Sequence, residues 1–385
     1  MHPHLRPRPV LFVVLPFYGV PTDSQYTDEL DTSIVAVVGT LVSLTVGFRC
    51  ATAHTRFYDG RREWANVAAT SQKVAQVIWF HVKERHSEDP NLGKRDLLAK
   101  ISCLNLISTF AVALKHKLQF EPYMHYDDLE PFVRHLDTLA KAADVREPPT
   151  KQSMLEKAGQ FLGQLVTIND PQTTVKQVSG PLGNIPLEII GHISSYTREA
   201  FTNGTLNQPA FVTALKQINE MNHGMAHCDR ILTTPIPMAY STAIYHVSWA
   251  YLIILPFQFV PSLGWYTIIA CLTAAYMILG LVMVGTQTEN PFGNDTNCLP
   301  LDTICNQIRH DIEVLLAFPQ ISFHDVARRD ENKPLYPLSQ LSARAWEEKS
   351  VDEIRQALAM MPGHRFREKH EEDHFVIPAP KTDVV

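Results

Sequence analysis

The stretch at 231–288 reads ILTTPIPMAYSTAIYHVSWAYLIILPFQFVPSLGWYTIIACLTAAYMILGLVMVGTQT, 58 residues without one Asp, Glu, Lys or Arg, bounded by Arg230 and Glu289. A helical crossing of a bilayer needs roughly 20 apolar residues, so this length is two membrane spans and a tight turn. Whole-chain averages conceal it. With 19% charged residues and a mean hydropathy of −0.08, the chain resembles a water-soluble protein in bulk. The pattern predicts spans at 237–260 and 263–285 around a PSLG turn at 261–264. Trp249, Tyr251, Trp265 and Tyr266 flank that turn, where interfacial aromatic side chains collect.

Working outward, 33–48 is a second uncharged run, rich in Val and Leu. Asp23, Asp28, Glu29 and Asp31 precede it, and Arg49, Arg56, Arg61 and Arg62 follow it. Basic residues collect on the cytoplasmic side of membrane helices, so this segment enters from outside and ends in the cytoplasm. The CATAH stretch at 50–54 supplies the length that 16 residues lack. A shorter apolar run at 10–20 follows a basic start and imitates a signal peptide. It contains Pro16 and lacks a small-x-small cleavage site, and it reads as a partial first membrane segment.

The fold class is therefore an all-α membrane protein, with about four membrane helices and a large helical cytoplasmic region. The expected divisions are 1–55, 56–230, 231–288, 289–361 and 362–385. Within 56–230, helices are predicted at 64–84, 96–117, 127–143 and 209–232. Helical spacing turns Val67, Val74, Val77 and Ile78 inward on the first, and Leu97, Ile101, Leu104, Ile107 and Val112 on the second. Ser350 and Glu353 form a capping box for a helix to Met361. The tail at 362–385 mixes charge with proline and is expected to be disordered.

Several function classes find no support. A net charge of −6 argues against a general nucleic-acid binder. The six cysteines contain no Cys-x-x-Cys pair, so neither a zinc site nor a disulfide framework is indicated. Cys50 and Cys271 read as buried reduced thiols, while Cys298 and Cys305 are close enough to pair. His223 and His227 stand four apart, a metal-binding spacing, but the sequence offers no third ligand, and Glu63 has no catalytic partner in sight. No nucleophile triad, phosphate loop or paired-carboxylate arrangement appears, so neither enzyme chemistry nor a cofactor is expected. The arginines after 48 have two readings. They attract anions to a vestibule, or they sit at the membrane edge and pair with Asp59 and Glu63, the reading preferred for Arg61 and Arg62.

Three stretches carry a family resemblance: GFRCATAHTRFYDGRREW at 47–64, CDRILTTPIPMAY at 228–240, and ENPFGNDTNCLPLD at 289–302. In this order, around these apolar runs, they resemble the bestrophin family of anion channels, in wording closer to its bacterial and fungal branch. The resemblance is strongest over 33–80 and 219–315. It implies a homopentamer with one central pore, passing chloride and other monovalent anions across the lipid bilayer. It also implies a pore neck of three apolar side chains spaced by four on the second membrane helix. Aligned through Arg56, Phe57 and Tyr58, these positions are Thr40, Leu44 and Phe48, and Thr40 departs from the apolar pattern. The spacing i, i+4, i+8 is one helix face. An apolar ring gates by dewetting, and the positive edge of aromatic rings tolerates a partly dehydrated anion. The plain alternative for Leu44 and Phe48 is helix packing. A second, cytoplasmic aperture falls near Val212, for which the plain alternative is a core valine.

Animal members of that family carry a calcium clasp after the fourth span. The corresponding residues here are Gln287, Asn290 and Asp295, followed by Thr296, Asn297 and Cys298 in place of an acidic run. Calcium takes 6–8 oxygen ligands, so this degenerate set predicts no metal and no calcium activation. The plasma membrane is the favoured location, an organelle membrane the alternative. Two other function classes stay open on sequence grounds. One is a transporter, although no internal repeat of the kind transporters show is present and only Pro256 interrupts a span. The other is a non-conducting membrane scaffold.

Overall fold

The computed structural model describes residues 24–85, 90–121, 126–139, 183–294, 297–318 and 322–374. The predicted partial span at 10–20 lies outside them. Among the described residues all regular structure is helical. The chain divides into two units, 1–315 and 316–385.

In the first unit, α1 is one helix from Ser24–His81, 58 residues long. The sequence divided this stretch at 55/56, but no proline interrupts it and the helix does not break. At 1.5 Å per residue it is about 87 Å long, nearly three times the ~30 Å hydrocarbon core. One helix therefore crosses the membrane and continues deep into the water-facing body. Threonines on it satisfy their hydroxyls locally: Thr40, Thr45, Thr52 and Thr55 each donate to the carbonyl four residues back, at 2.8–2.9 Å.

Helix α2 (Pro90–Leu118) is long and apolar enough to span a bilayer, yet 67% of its most apolar window is buried inside the protein. Leu104, Ile107, Phe110 and Leu114 are fully enclosed, so α2 is a core helix. After a short α3 (Glu130–Val133), α4 (Ile185–Thr202) and α5 (Gln208–Thr233) complete the body. The helix expected at 127–143 is broken within its described residues, 127–139, of which only 130–133 and 139 are helical. Asp128, in the turn before 130, is held by the side chains of Lys115 and His116. Helix α5 is begun by Asn207, whose side chain accepts from Ala210 N at 3.0 Å. The body's core joins Trp64, Val67, Val74 and Ile78 of α1 to Ile189 and Ile193 of α4 and Ala214, Ile218 and Met221 of α5.

The charge-free stretch forms α6 (Met238–Leu263) and α7 (Thr267–Gln287). The turn falls later than the sequence suggested. Helix α6 runs through Pro256 and Pro261, and the reversal is a 3-10 turn at Gly264–Tyr266. Gly264 adopts φ +53°, open to glycine and strained for other residues. Both helices pack on the membrane half of α1, around a small core of Val42, Val46, Ile244 and Val282. Large apolar side chains such as Phe257, Leu272 and Tyr276 face outward, as lipid requires. Helix α8 (Leu301–Ala317) follows.

In the second unit are α9 (Phe323–Ala327), α10 (Ala343–Glu347) and α11 (Val351–His374). The capping box forms: Ser350 N donates to Glu353 Oε2 at 2.9 Å, and Glu353 N donates to Ser350 Oγ at 3.2 Å. The helix it starts continues through Pro362 to His374 rather than ending at Met361, where Arg365, Arg367, Glu368, Lys369, Glu371 and Glu372 are good helix formers. None of the six cysteines is in a disulfide, Cys298 and Cys305 included, and Cys298 Sγ donates to the Asn290 carbonyl at 3.4 Å. Cys50 and Cys271 are half-buried, and the enclosed thiols are Cys103, Cys228 and Cys305. Burial pushes Cys228 and Cys305 up to about 12, so they remain protonated packing groups.

Candidate functional site

Helix α1 has two contrasting faces in the membrane. Val42, Val46, Arg49 and Ala53 are buried against α6 and α7. Thr40, Leu44 and Phe48 are exposed, Leu44 at 69% and Phe48 at 56%. Three side chains at spacing four thus share an exposed face, along which Thr40 and Leu44 border a groove shared with Tyr251 and Gln258 of α6. The Thr40 hydroxyl is turned to its own helix, donating to the Ala36 carbonyl at 2.8 Å. Val212 is also exposed, on α5 in the water-facing body, and is not a core valine within the subunit.

Immediately behind Phe48, the three quoted stretches converge. Arg49 is 1% exposed, and its Nη2 donates to Thr286 Oγ1 at 3.1 Å and Glu289 Oε2 at 3.2 Å. Its guanidinium also lies 5.5 Å from the centre of the Tyr245 ring. The other carboxylate oxygen of Glu289 accepts from Ile236 N at 2.9 Å. The Glu289 carbonyl accepts from Arg56 Nε at 2.9 Å, and the remaining Arg56 nitrogens donate to the carbonyls of Ile231 and Thr234. A Cβ at Gly285 would sit 3.1 Å from Arg49 Cγ, and one at Gly60 would sit 3.0 Å from Pro291. Glycine at both positions lets the loop after α7 lie directly on α1. Arg49 and Arg56 are therefore fasteners of this junction rather than anion attractors in a vestibule. Arg62 pairs with Asp59, three residues back, at 3.2 Å, as helical spacing predicted, and its chain neighbour Glu63 lies at 3.6 Å.

The clasp positions are engaged internally. Gln287 Oε1 accepts from Asn297 Nδ2 at 2.9 Å, and Asn290 Oδ1 accepts from Phe292 N at 3.2 Å. Asp295 lies outside the described residues. Among the described residues no group of three or more His, Cys, Asp or Glu side chains is arranged to hold a metal.

Two ionic features escaped the sequence. Glu63 is enclosed and does have a partner: its Oε2 lies 3.2 Å from His227 Nδ1, 164 positions away. Lys115 donates to Asp128 at 2.6 Å and Asp302 at 2.8 Å, while His116 joins Glu121 at 2.6 Å to Asp128 at 2.9 Å. This second cluster ties α2 to the start of α8. Glu63–His227 and Lys115–Asp302 are 164 and 187 positions apart, so no local spacing announces them.

A family model described as Bacterial/Fungal Bestrophin protein matches residues 2–314. The voltage-dependent anion channel-forming protein alr2987 of Nostoc sp. is 31% identical over 288 residues, 74% of this chain and 78% of the relative. The corresponding sll1024 of Synechocystis sp. is 28% identical over 306 residues, 80% and 83% of the two chains. Among solved structures, that of a bacterial Bestrophin homolog from Klebsiella pneumoniae superposes with a TM-score of 0.54 at 19% identity, over 77% of this chain and 93% of the other.

Proposed function

This chain belongs to the bacterial and fungal bestrophin family, and we propose that it is an integral membrane subunit of a passive anion channel. The observation that carries this reading is the exposed face of α1. Thr40, Leu44 and Phe48 lie on the exposed side of α1, opposite Val42 and Val46, which are buried where α6 and α7 pack on it. Around a central axis, that face lines the neck, and the α6–α7 hairpin forms the lipid-facing wall. Leu44 and Phe48 make an apolar constriction that gates by dewetting, and no fixed charge is needed at the narrowest point. Val212 forms the cytoplasmic aperture.

The assembly is a homopentamer, the state that family membership implies, closed by one repeated head-to-tail interface, and it passes chloride and other monovalent anions. Its opening does not depend on calcium, because Gln287 and Asn290 are already hydrogen-bonded within their own loop. The plasma membrane is the proposed location.

Purified protein in planar bilayers tests the reading. Stepwise currents reversing at the chloride equilibrium potential are expected. Saturable coupled flux identifies a transporter, and silence a scaffold.

A further inference from the structure

A cavity of about 620 Å³ lies between α1 and α5, lined by Arg62, Glu63, Asn66, Glu220, His223 and His227. Its place follows from helix geometry. Asn66 is eighteen residues after Phe48, five turns of an α-helix, and so has the same azimuth about 27 Å further along the axis. On α5, His223 is eleven residues from Val212 and so about 20° from it in azimuth, with His227 and Glu220 within 80°.

The two helices run antiparallel. Arg56 meets the carbonyls of Ile231 and Thr234, Glu63 meets His227, and Val67 meets Gly224. Continuing that register puts Val212 beyond the cavity, on the side away from the membrane. The order along one face is therefore Phe48, the ionisable cavity, then Val212.

The lining holds one guanidinium, two carboxylates and two imidazoles. With the imidazoles neutral it has a net negative charge, one carboxylate in excess of Arg62. With both protonated it has one net positive charge. Asp59, which pairs with Arg62 from outside the lining, lowers both totals by one, to about −2 and about 0, and leaves the gain of two positive charges unchanged. Helices α2 and α4 also pack on α5 but contribute no group to the lining, and the nearest α2 cation, Lys117, is taken up by Asp229. Histidine is the side chain whose charge changes between about pH 5 and 8.

Resting on the channel reading above, we infer that this cavity is an anion-selectivity station in the vestibule, switched by protonation of His223 and His227. Each subunit gains two positive charges on acidification, and a closed ring repeats the gain around the path. Charge lining a low-dielectric conduit raises the local concentration of the opposite ion, so chloride is favoured over sodium as the cytoplasmic side becomes acidic.

The test is the reversal potential in a sodium chloride gradient across a planar bilayer, at about pH 8 and about pH 5.5. The wild-type chloride-to-sodium permeability ratio is expected to rise roughly twofold or more on acidification. The His223→Gln/His227→Gln double variant is expected to lose that rise. Glu220→Gln, which leaves the Glu63–His227 contact intact, is expected to raise the ratio already at pH 8. Size-exclusion elution of each variant at the wild-type position establishes assembly. A conducting wild type with no pH response, or a double variant with the full response, overturns this inference and leaves the channel. A silent wild type overturns both.

Discussion

The buried Arg49 guanidinium and the Glu289 carboxylate stand 3.2 Å apart across 240 residues of sequence. One belongs to the helix that presents Phe48, and the other closes the charge-free stretch. Removing one partner of a buried pair leaves an uncompensated charge, at a typical cost of about 3–5 kcal/mol. Arg49→Met is therefore expected to lower stability by about 3 kcal/mol, read as a fall in Tm in detergent. Adding Glu289→Gln to the same chain should recover part of the loss. A single variant that melts with the wild type would show that the junction does not depend on this pair.

Gly224 and Val67 mark the closest approach of α5 to α1. A Cβ at Gly224 would stand 2.8 Å from Val67 Cγ2. Alanine gains up to about 1 kcal/mol of helix propensity over glycine, but overpacking costs about 1–3 kcal/mol, and valine has little rotamer freedom to yield. Gly224→Ala should therefore destabilise the wild type and be neutral or stabilising in a Val67→Ala background. Equal effects in both backgrounds would exclude the contact as the cause.

At the proposed neck, Phe48→Ala removes a ring from each subunit. The expected outcome is a larger single-channel conductance or a changed preference among chloride, bromide and nitrate. Currents indistinguishable from the wild type would move the constriction elsewhere on α1.

Calcium should leave open probability unchanged from submicromolar to millimolar levels on the cytoplasmic side. Gln287 is engaged by Asn297, and calcium needs several free oxygens. A micromolar activation midpoint would contradict this.

Acid should weaken the water-facing body through Asp128. Burial opposes its ionisation, but the hydrogen bonds from Lys115 and His116 outweigh that and hold the carboxyl below its ordinary value of 3.8. A carboxyl depressed in the folded state contributes stability that is present above 3.8 and is lost as pH falls through the folded value. Tm should therefore drop from about pH 5 to about pH 3, with a shallower acid limb in Asp128→Asn. An identical acid limb in the variant would assign the loss to other groups.

Much of this was legible from local pattern. The absence of charge over 231–288 announced the α6–α7 hairpin, because placing a charge in hydrocarbon is costly wherever it falls. Asn207, Ser350 and Glu353 act within four residues of their partners, so the starts of α5 and α11 were set by neighbours in sequence. Helix α2 was less clear, since its composition suits a membrane and only its enclosure by α1, α4 and α5 makes it a core helix. The run at 127–143 misled because the side chains that hold Asp128 in a turn come from another helix.

Sequence by itself determined that the chain is helical and membrane-spanning, and that Thr40, Leu44 and Phe48 share one face, because period and charge exclusion are properties of neighbouring residues. Only the tertiary structure decided which face α1 buries, and that Arg49 and Arg56 fasten the three marked stretches together. It alone brought Glu63, His223 and His227 to one cavity. Those outcomes depend on backbones approaching at Gly60, Gly224 and Gly285, and close approach between segments more than 150 residues apart leaves no periodic trace in either.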